Sequence, residues 1–166
     1  MRAHITRMAD VLRITKGVDA IVHLGGYSVE GPWPLILKAN IEGCYNAYEA
    51  ARRNRVPRFI FPTSNHAVGF YRRDQTIDHR VYPKPDGRYG LSKVFGEMVA
   101  RFYWDRNGVE SVSLRIGSYF PEPTQERMLA TWLSRGDMAR LVAHSVVAPS
   151  TGFAIVWGVS NNAASW

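Results

Sequence analysis

Cysteine is nearly missing from these 166 residues, and Cys44 stands alone. One thiol cannot form an intrachain disulfide, so the fold cannot rest on a disulfide framework; a reducing compartment, by default the cytoplasm, fits. Long apolar runs are missing too. No stretch reaches the roughly 20 residues that a membrane-spanning helix needs. The start, Met1-Arg2-Ala3-His4-Ile5-Thr6-Arg7-Met8, lacks the apolar segment of a secretory signal. Nothing repeats, and no His, Cys, Asp and Glu residues cluster at metal-ligand spacing, so neither a metal nor a membrane is expected. Negative charge is scarce: 14 Asp and Glu face 21 Lys and Arg, for a formal net charge of +7. The densest basic cluster is Arg52, Arg53, Arg55 and Arg58. It has no interleaved aromatics, so it reads as a solvated helix end, where cations suit the negative pole of the dipole, and not as a nucleic-acid footprint.

What is present is the ordinary balance of a globular domain, 46% hydrophobic and 21% charged residues. The pattern predicts helices over 6–16 (Thr6 as N-cap, Gly17 past the end), about 35–55, 89–107, about 124–134 and 137–147. It predicts strands over 18–24, 58–63, 111–116 and 153–157, of which 58–63 is short and apolar in the manner of strands buried in a parallel sheet. Strands alternating with helices imply an α/β fold, a doubly wound parallel sheet of Rossmann-like type. Ligands then bind beyond the carboxyl ends of the strands. Gly25-Gly26, Ser64-Asn65-His66 and Gly117-Ser118 each follow a predicted strand directly.

One pair on a predicted helix carries chemistry. In Tyr89-Gly90-Leu91-Ser92-Lys93, the tyrosine and the lysine lie four apart, on one face and one turn from each other. A tyrosine hydroxyl titrates near ~10 in water, too high for a base at neutral pH. A fixed ammonium favours the phenolate, and a drop of about three units corresponds to roughly 4 kcal/mol of differential interaction. Such a shift would poise Tyr89 as a general acid/base.

The motifs fall in a recognisable order: a strand running into His23-Leu24-Gly25-Gly26, Asn40 within a long helix, Phe61-Pro62-Thr63-Ser64 after the next strand, Tyr89-x-x-x-Lys93, and Leu114-Arg115-Ile116-Gly117. Together they resemble the extended short-chain dehydrogenases/reductases, the NAD-dependent epimerase/dehydratase family. Ser64-Asn65-His66-Ala67-Val68-Gly69-Phe70-Tyr71, and the stretch from Arg115 to Pro123 with Arg127-Met128-Leu129-Ala130-Thr131-Trp132, resemble its uronate dehydrogenase branch.

The resemblance implies a catalytic set. Tyr89 would be the base, Lys93 would hold it and the nicotinamide ribose, and Ser64 would bond the reacting hydroxyl. NAD would lie against Leu24, Gly25, Gly26, Asn40, Tyr89, Lys93 and Ile116, with Asn40 in a proton relay. A sugar acid would be held by Ser28, Asn65, His66, Ser118 and Arg127, the guanidinium clamping its carboxylate. Residues 1–166 would form one partial domain, with substrate segments at 64–88 and 117–135. The implied reaction is NAD-dependent oxidation of galacturonate or glucuronate at C1 to an aldarolactone. The alternatives are a sugar-nucleotide epimerase or dehydratase, or a non-catalytic dinucleotide-binding fragment. The implied partners are a small sugar acid and, through the helix of Tyr89, a homo-oligomer.

The chain departs from the family in lacking Gly-x-x-Gly-x-x-Gly. The family's first strands and glycine-rich turn, about 50 residues, are expected before residue 6. The substrate region is expected to continue past Trp166. The strand at 18–24 is then expected to leave an open, aggregation-prone edge.

Overall fold

The computed structural model describes residues 2–164; Met1, Ser165 and Trp166 lie outside the described residues. Four apolar runs form one parallel sheet in the order β1 (Ala20–Val22), β2 (Arg58–Ser64), β3 (Glu110–Ile116) and β4 (Phe153–Gly158). Along β2, side chains alternate between faces as strand geometry demands. Phe59 and Phe61 join Cys44, Ala47, Tyr48, Val99, Ala100 and Tyr103 in one core layer, under α3 (Gly43–Asn54) and α4 (Arg88–Asn107). Ile60 joins Val112 and Leu114 in the other, with Leu141, Val142 and Val146 of α6 (Arg135–Val147). Helices cover both faces of the sheet, as is usual for parallel strands, yet β3 alternates, with buried Ser111, Ser113 and Arg115 between Val112, Leu114 and Ile116. Each large apolar side chain fully buried in this way contributes roughly 1.5–3 kcal/mol.

Helix α4 lies hard against the sheet because position 96 has no side chain. A Cβ there would fall 2.2 Å from Phe61 Cζ. The glycine therefore sets the depth of the helix that carries Tyr89 and Lys93.

Local structure departs from the sequence pattern in four places. The first helix, α1, covers only Met8–Ile14, and Thr6 does not cap it: Arg7 holds the cap position, while the Thr6 hydroxyl bonds His4 Nδ1 at 2.8 Å. The first strand is three residues long instead of seven. The long helix begins as α2 (Trp33–Ile36) and passes through a π-helical turn at Leu37–Glu42 before α3. Residues 124–134 are not a continuous helix. Only α5 (Met128–Thr131) is helical, because Ser118 N–H bonds Thr131 O and Leu133 N–H bonds Ser118 O, which draws Trp132 into an extended conformation. The basic cluster is internally neutralised in part: Arg52 and Arg53 bond Glu49, and buried Arg58 bonds Glu110 and the carbonyls of Ser145 and Ala148.

Two predictions follow from this architecture. Among the described residues β1 pairs only with β2, so its other edge is open, with Val22 37% exposed on it. The 166-residue chain should self-associate in light scattering, and Val22→Lys should reduce that association by placing a charge on the edge. A monomeric parent would refute this. The second concerns His23, which is buried and ring-packed against Phe59 and Phe61. Burial, helped by the Lys93 charge, pushes its pKa down to about 4. An unfolded histidine titrates near ~6.5, so between those values the unfolded chain holds a proton that the folded chain does not. Stability should therefore fall as pH drops through this window, by about 3 kcal/mol from this group. His23→Phe should flatten the dependence in urea titrations.

Candidate active site

Eight of the residues named from the sequence converge beyond the carboxyl ends of β1, β2 and β3. Leu24, Gly25, Gly26, Ser28, Ser64, Tyr89, Lys93 and Ile116 line a cleft of about 210 Å³, together with His23, Tyr27, Pro62, Thr63 and Gly117. Each arrives from a different element. Leu24 to Ser28 form the turn after β1, Ser64 ends β2, Ile116 ends β3, and Tyr89 opens α4 with Lys93 one turn on.

The Lys93 ammonium lies 5.4 Å from the Tyr89 ring centroid and donates to Pro62 O at 2.8 Å. Among the described residues that is its only hydrogen bond, so two of its three donors remain for a ligand. Burial lowers its pKa to about 8, which still leaves it charged at neutral pH. The expected effect on Tyr89 does not hold in this state. Burial of the phenol outweighs the neighbouring Ser64 hydroxyl and raises the Tyr89 pKa, so Tyr89 rests protonated. The four-residue spacing brings a cation near, but desolvation, which disfavours any charged form, comes from the fold around the ring.

The turn and the catalytic helix are clasped together. Glu30 accepts a hydrogen bond from the Tyr89 amide at 2.9 Å, placing a carboxylate on the positive end of α4. Asn40 sits at 6% exposure behind the cleft. Its Oδ1 accepts from Tyr27 N–H at 2.6 Å, and its Nδ2 donates to Tyr27 O and to Ser92 Oγ at 2.9 and 2.8 Å. Both of its donors are thus used in joining the turn to α4.

A second, larger cavity of about 530 Å³ adjoins the cleft through Ser64-Asn65-His66. Asn65, His66 and Arg127 line it, with Tyr71, Arg72, Gln75, Asp86, Thr131 and Trp157 among others. The His66 ring stands edge-on to the Tyr89 ring, centroids 5.8 Å apart, which brings the two spaces into register. Arg127 uses its Nε on Gln125 Oε1 at 3.0 Å. Ser118 is buried and bonds Thr131 Oγ1 at 2.9 Å, so Thr131, which the sequence did not single out, is the residue on the wall. Glu30, Asp86 and Trp157 were also missed. Asp86-Gly87 carried only a turn signal, and Glu30 and Trp157 carried none.

The arrangement brings a phenol, a hydroxyl and an ammonium together in one cleft. Beside them lie Leu24, Ile116 and two glycines, and the larger cavity carries the Arg127 guanidinium.

A family model described as the NAD dependent epimerase/dehydratase family matches residues 1–151. The chain is 53% identical over 156 residues to the uronate dehydrogenase of Pseudomonas syringae pv. tomato, covering 94% of this chain and 57% of that protein. It superposes on the structure of a mutated uronate dehydrogenase with a TM-score of 0.98 at 48% identity, covering all of this chain and 60% of the other. A mutant of the Agrobacterium tumefaciens uronate dehydrogenase complexed with NAD gives a TM-score of 0.97 at 44% identity, over 100% and 63% of the two chains. The chain thus spans under two thirds of the length of these relatives. With a parallel α/β sheet and the cleft at its carboxyl edge, it belongs to the NAD-dependent epimerase/dehydratase family.

Proposed function

We propose that this chain carries the catalytic part of an NAD-dependent oxidoreductase that oxidises a hexuronate, galacturonate or glucuronate, at C1 to an aldarolactone. The observation that carries this reading is the meeting of Ser64, Tyr89 and Lys93 in one cleft that adjoins the cavity of Asn65, His66 and Arg127. Similarity to uronate dehydrogenases at about half identity supports it.

The cleft fits one end of a dinucleotide. Its volume is below the ~300–1,000 Å³ of a typical small-molecule pocket, so it takes a ring and its sugar rather than the whole cofactor. Leu24 and Ile116 offer apolar contact, Gly25 and Gly26 allow close backbone approach, and Lys93 retains two donors for a ribose diol. When bound, oxidised nicotinamide supplies the hydride acceptor and a positive charge.

The chain's own groups do the rest. Ser64 Oγ holds the C1 hydroxyl of the cyclic sugar acid. Tyr89 takes its proton as the C1–H bond breaks and the C1–O bond becomes the lactone carbonyl. Burial keeps the resting phenol protonated, so added positive charge beside Lys93 favours the phenolate when the site is filled. Arg127 pairs with the carboxylate, and Asn65 and His66 meet ring hydroxyls.

Two outcomes are expected. Substituted for the matching segment of the Pseudomonas syringae relative, residues 1–166 should support net NADH formation from NAD and galacturonate, and Tyr89→Phe should lower it about 10²–10⁴-fold with the fold intact by circular dichroism. Retained turnover in Tyr89→Phe would refute the base assignment. Tight NAD binding without net NADH would favour the epimerase or dehydratase reading, in which the cofactor is regenerated within each cycle. In the same chimera, Arg127→Lys should raise KM for galacturonate by about tenfold or more, because an ammonium cannot present a fork to the carboxylate. An unchanged KM would remove Arg127 from the substrate.

A further inference from the structure

The second cavity holds a carboxylate–imidazole pair. His66 Nδ1 lies 3.0 and 2.9 Å from the two oxygens of Asp86, twenty residues further along the chain. The pair is held by the backbone around it. Lys84 N–H bonds Ala67 O at 3.0 Å, Phe70 N–H bonds Lys84 O at 3.0 Å, and Asp86 N–H bonds His66 O at 3.4 Å, so residues 84–86 are stitched to 66–70. His66 N–H bonds Ser64 Oγ at 3.2 Å, tying the same segment to the end of β2. Position 69 leaves room for the carboxylate: a Cβ there would fall 2.1 Å from Asp86 Oδ2. Both side chains line the cavity.

An ionised carboxylate can only accept, so Nδ1 must carry the proton. In the neutral ring that leaves Nε2 without one. Among the described residues Nε2 has no hydrogen-bond partner, so it stands on the cavity wall as an acceptor. We propose that Asp86 is a positioning residue that fixes His66 in the Nδ1-protonated form, so that His66 accepts a hydrogen bond from a substrate hydroxyl. This deepens the proposed function and rests on its reading of the cavity as the seat of a sugar acid. It assigns the two ends of that ligand differently. A carboxylate has no proton to give to Nε2 and belongs at Arg127, while a ring hydroxyl belongs at His66. The site then discriminates by hydrogen-bond polarity as well as by charge. An analogue lacking that hydroxyl would leave the acceptor unpaired, which is costly in a desolvated site.

The test reads the tautomer directly. The chain is labelled with ¹⁵N-histidine, and the ring nitrogens are followed by long-range ¹⁵N–¹H correlation at mildly alkaline pH, with His66→Gln identifying the signal. The expected spectrum shows His66 protonated at Nδ1. Asp86→Ala should move it toward the Nε2-protonated form that free imidazoles prefer, and Asp86→Asn, whose amide oxygen still accepts, should restore the parent pattern. An Nε2-protonated ring in the unmodified chain, or a tautomer unmoved in Asp86→Ala, overturns the proposal. That first outcome is read in the unmodified chain and does not depend on Asp86→Ala, so a folding defect in that variant cannot shield the idea. Adding galacturonate should then shift Nε2 in the parent and not in Asp86→Ala. The expected tautomer without any Nε2 response to galacturonate would overturn the sugar-acid reading of the cavity and leave the hold of Asp86 on the ring standing.

Discussion

The ion pair between Arg115 and Glu97 is the contact on which the rest of the site depends. The two side chains are 1% and 0% exposed. Arg115 Nε and Nη2 meet the two Glu97 oxygens at 3.0 and 2.8 Å, and Thr63 Oγ1 adds a third bond at 2.9 Å. A buried pair of this kind is tolerable only when its geometry is good and its remaining valences are filled, and breaking one side leaves an uncompensated charge. Its value here is positional. Thr63 immediately precedes Ser64, Glu97 lies one turn beyond Lys93, and Arg115 immediately precedes Ile116. One network therefore locks β2, β3 and α4 a single step below three residues of the cleft. Arg115 also reaches outward, with Nη1 3.4 Å from His79 O and the Trp157 ring against its guanidinium. The loop bordering the larger cavity is thereby tied to the charge at the centre of the sheet.

Above that plane, binding surfaces are held by polar contacts that join distant segments. Glu30 on the Tyr89 amide and Asn40 between Tyr27 and Ser92 fasten the turn after β1 to α4. Asp86 fastens the loop before α4 to the segment after β2. The glycine turn, the phenol and the imidazole are thus held in fixed relation by contacts within the chain itself.

Much of this was legible in the residues. Short strand patterns between helical ones marked the sheet, the four-residue spacing put Tyr89 and Lys93 on one helix face, and the rule that ligands bind beyond strand ends placed Gly25, Ser64 and Gly117 together. What was not legible depends on partners far apart in the chain. Nothing local to Glu30 announces Tyr89, 59 residues on. Residues 124–134 carry a helical pattern, but the pairing of Ser118 with the 131–133 backbone is tertiary and overrides it. The Tyr89 titration shift took the opposite sign for a related reason: a cation's proximity can be read from spacing, whereas the burial of a ring is set by the whole fold.

The π-helical turn at Leu37–Glu42 has a consequence for how the chain can vary in length. Such a turn holds an extra residue within a helix otherwise wound as α. It changes the angular phase between Trp33–Ile36 and Gly43–Asn54, and Asn40 sits inside it. Deleting one residue there would let the helix rewind and turn everything on its N-terminal side by about 100°. Asn40 would then swing away from Tyr27, and the turn after β1 would lose its anchor. In this segment the number of residues is constrained together with the identity of Asn40.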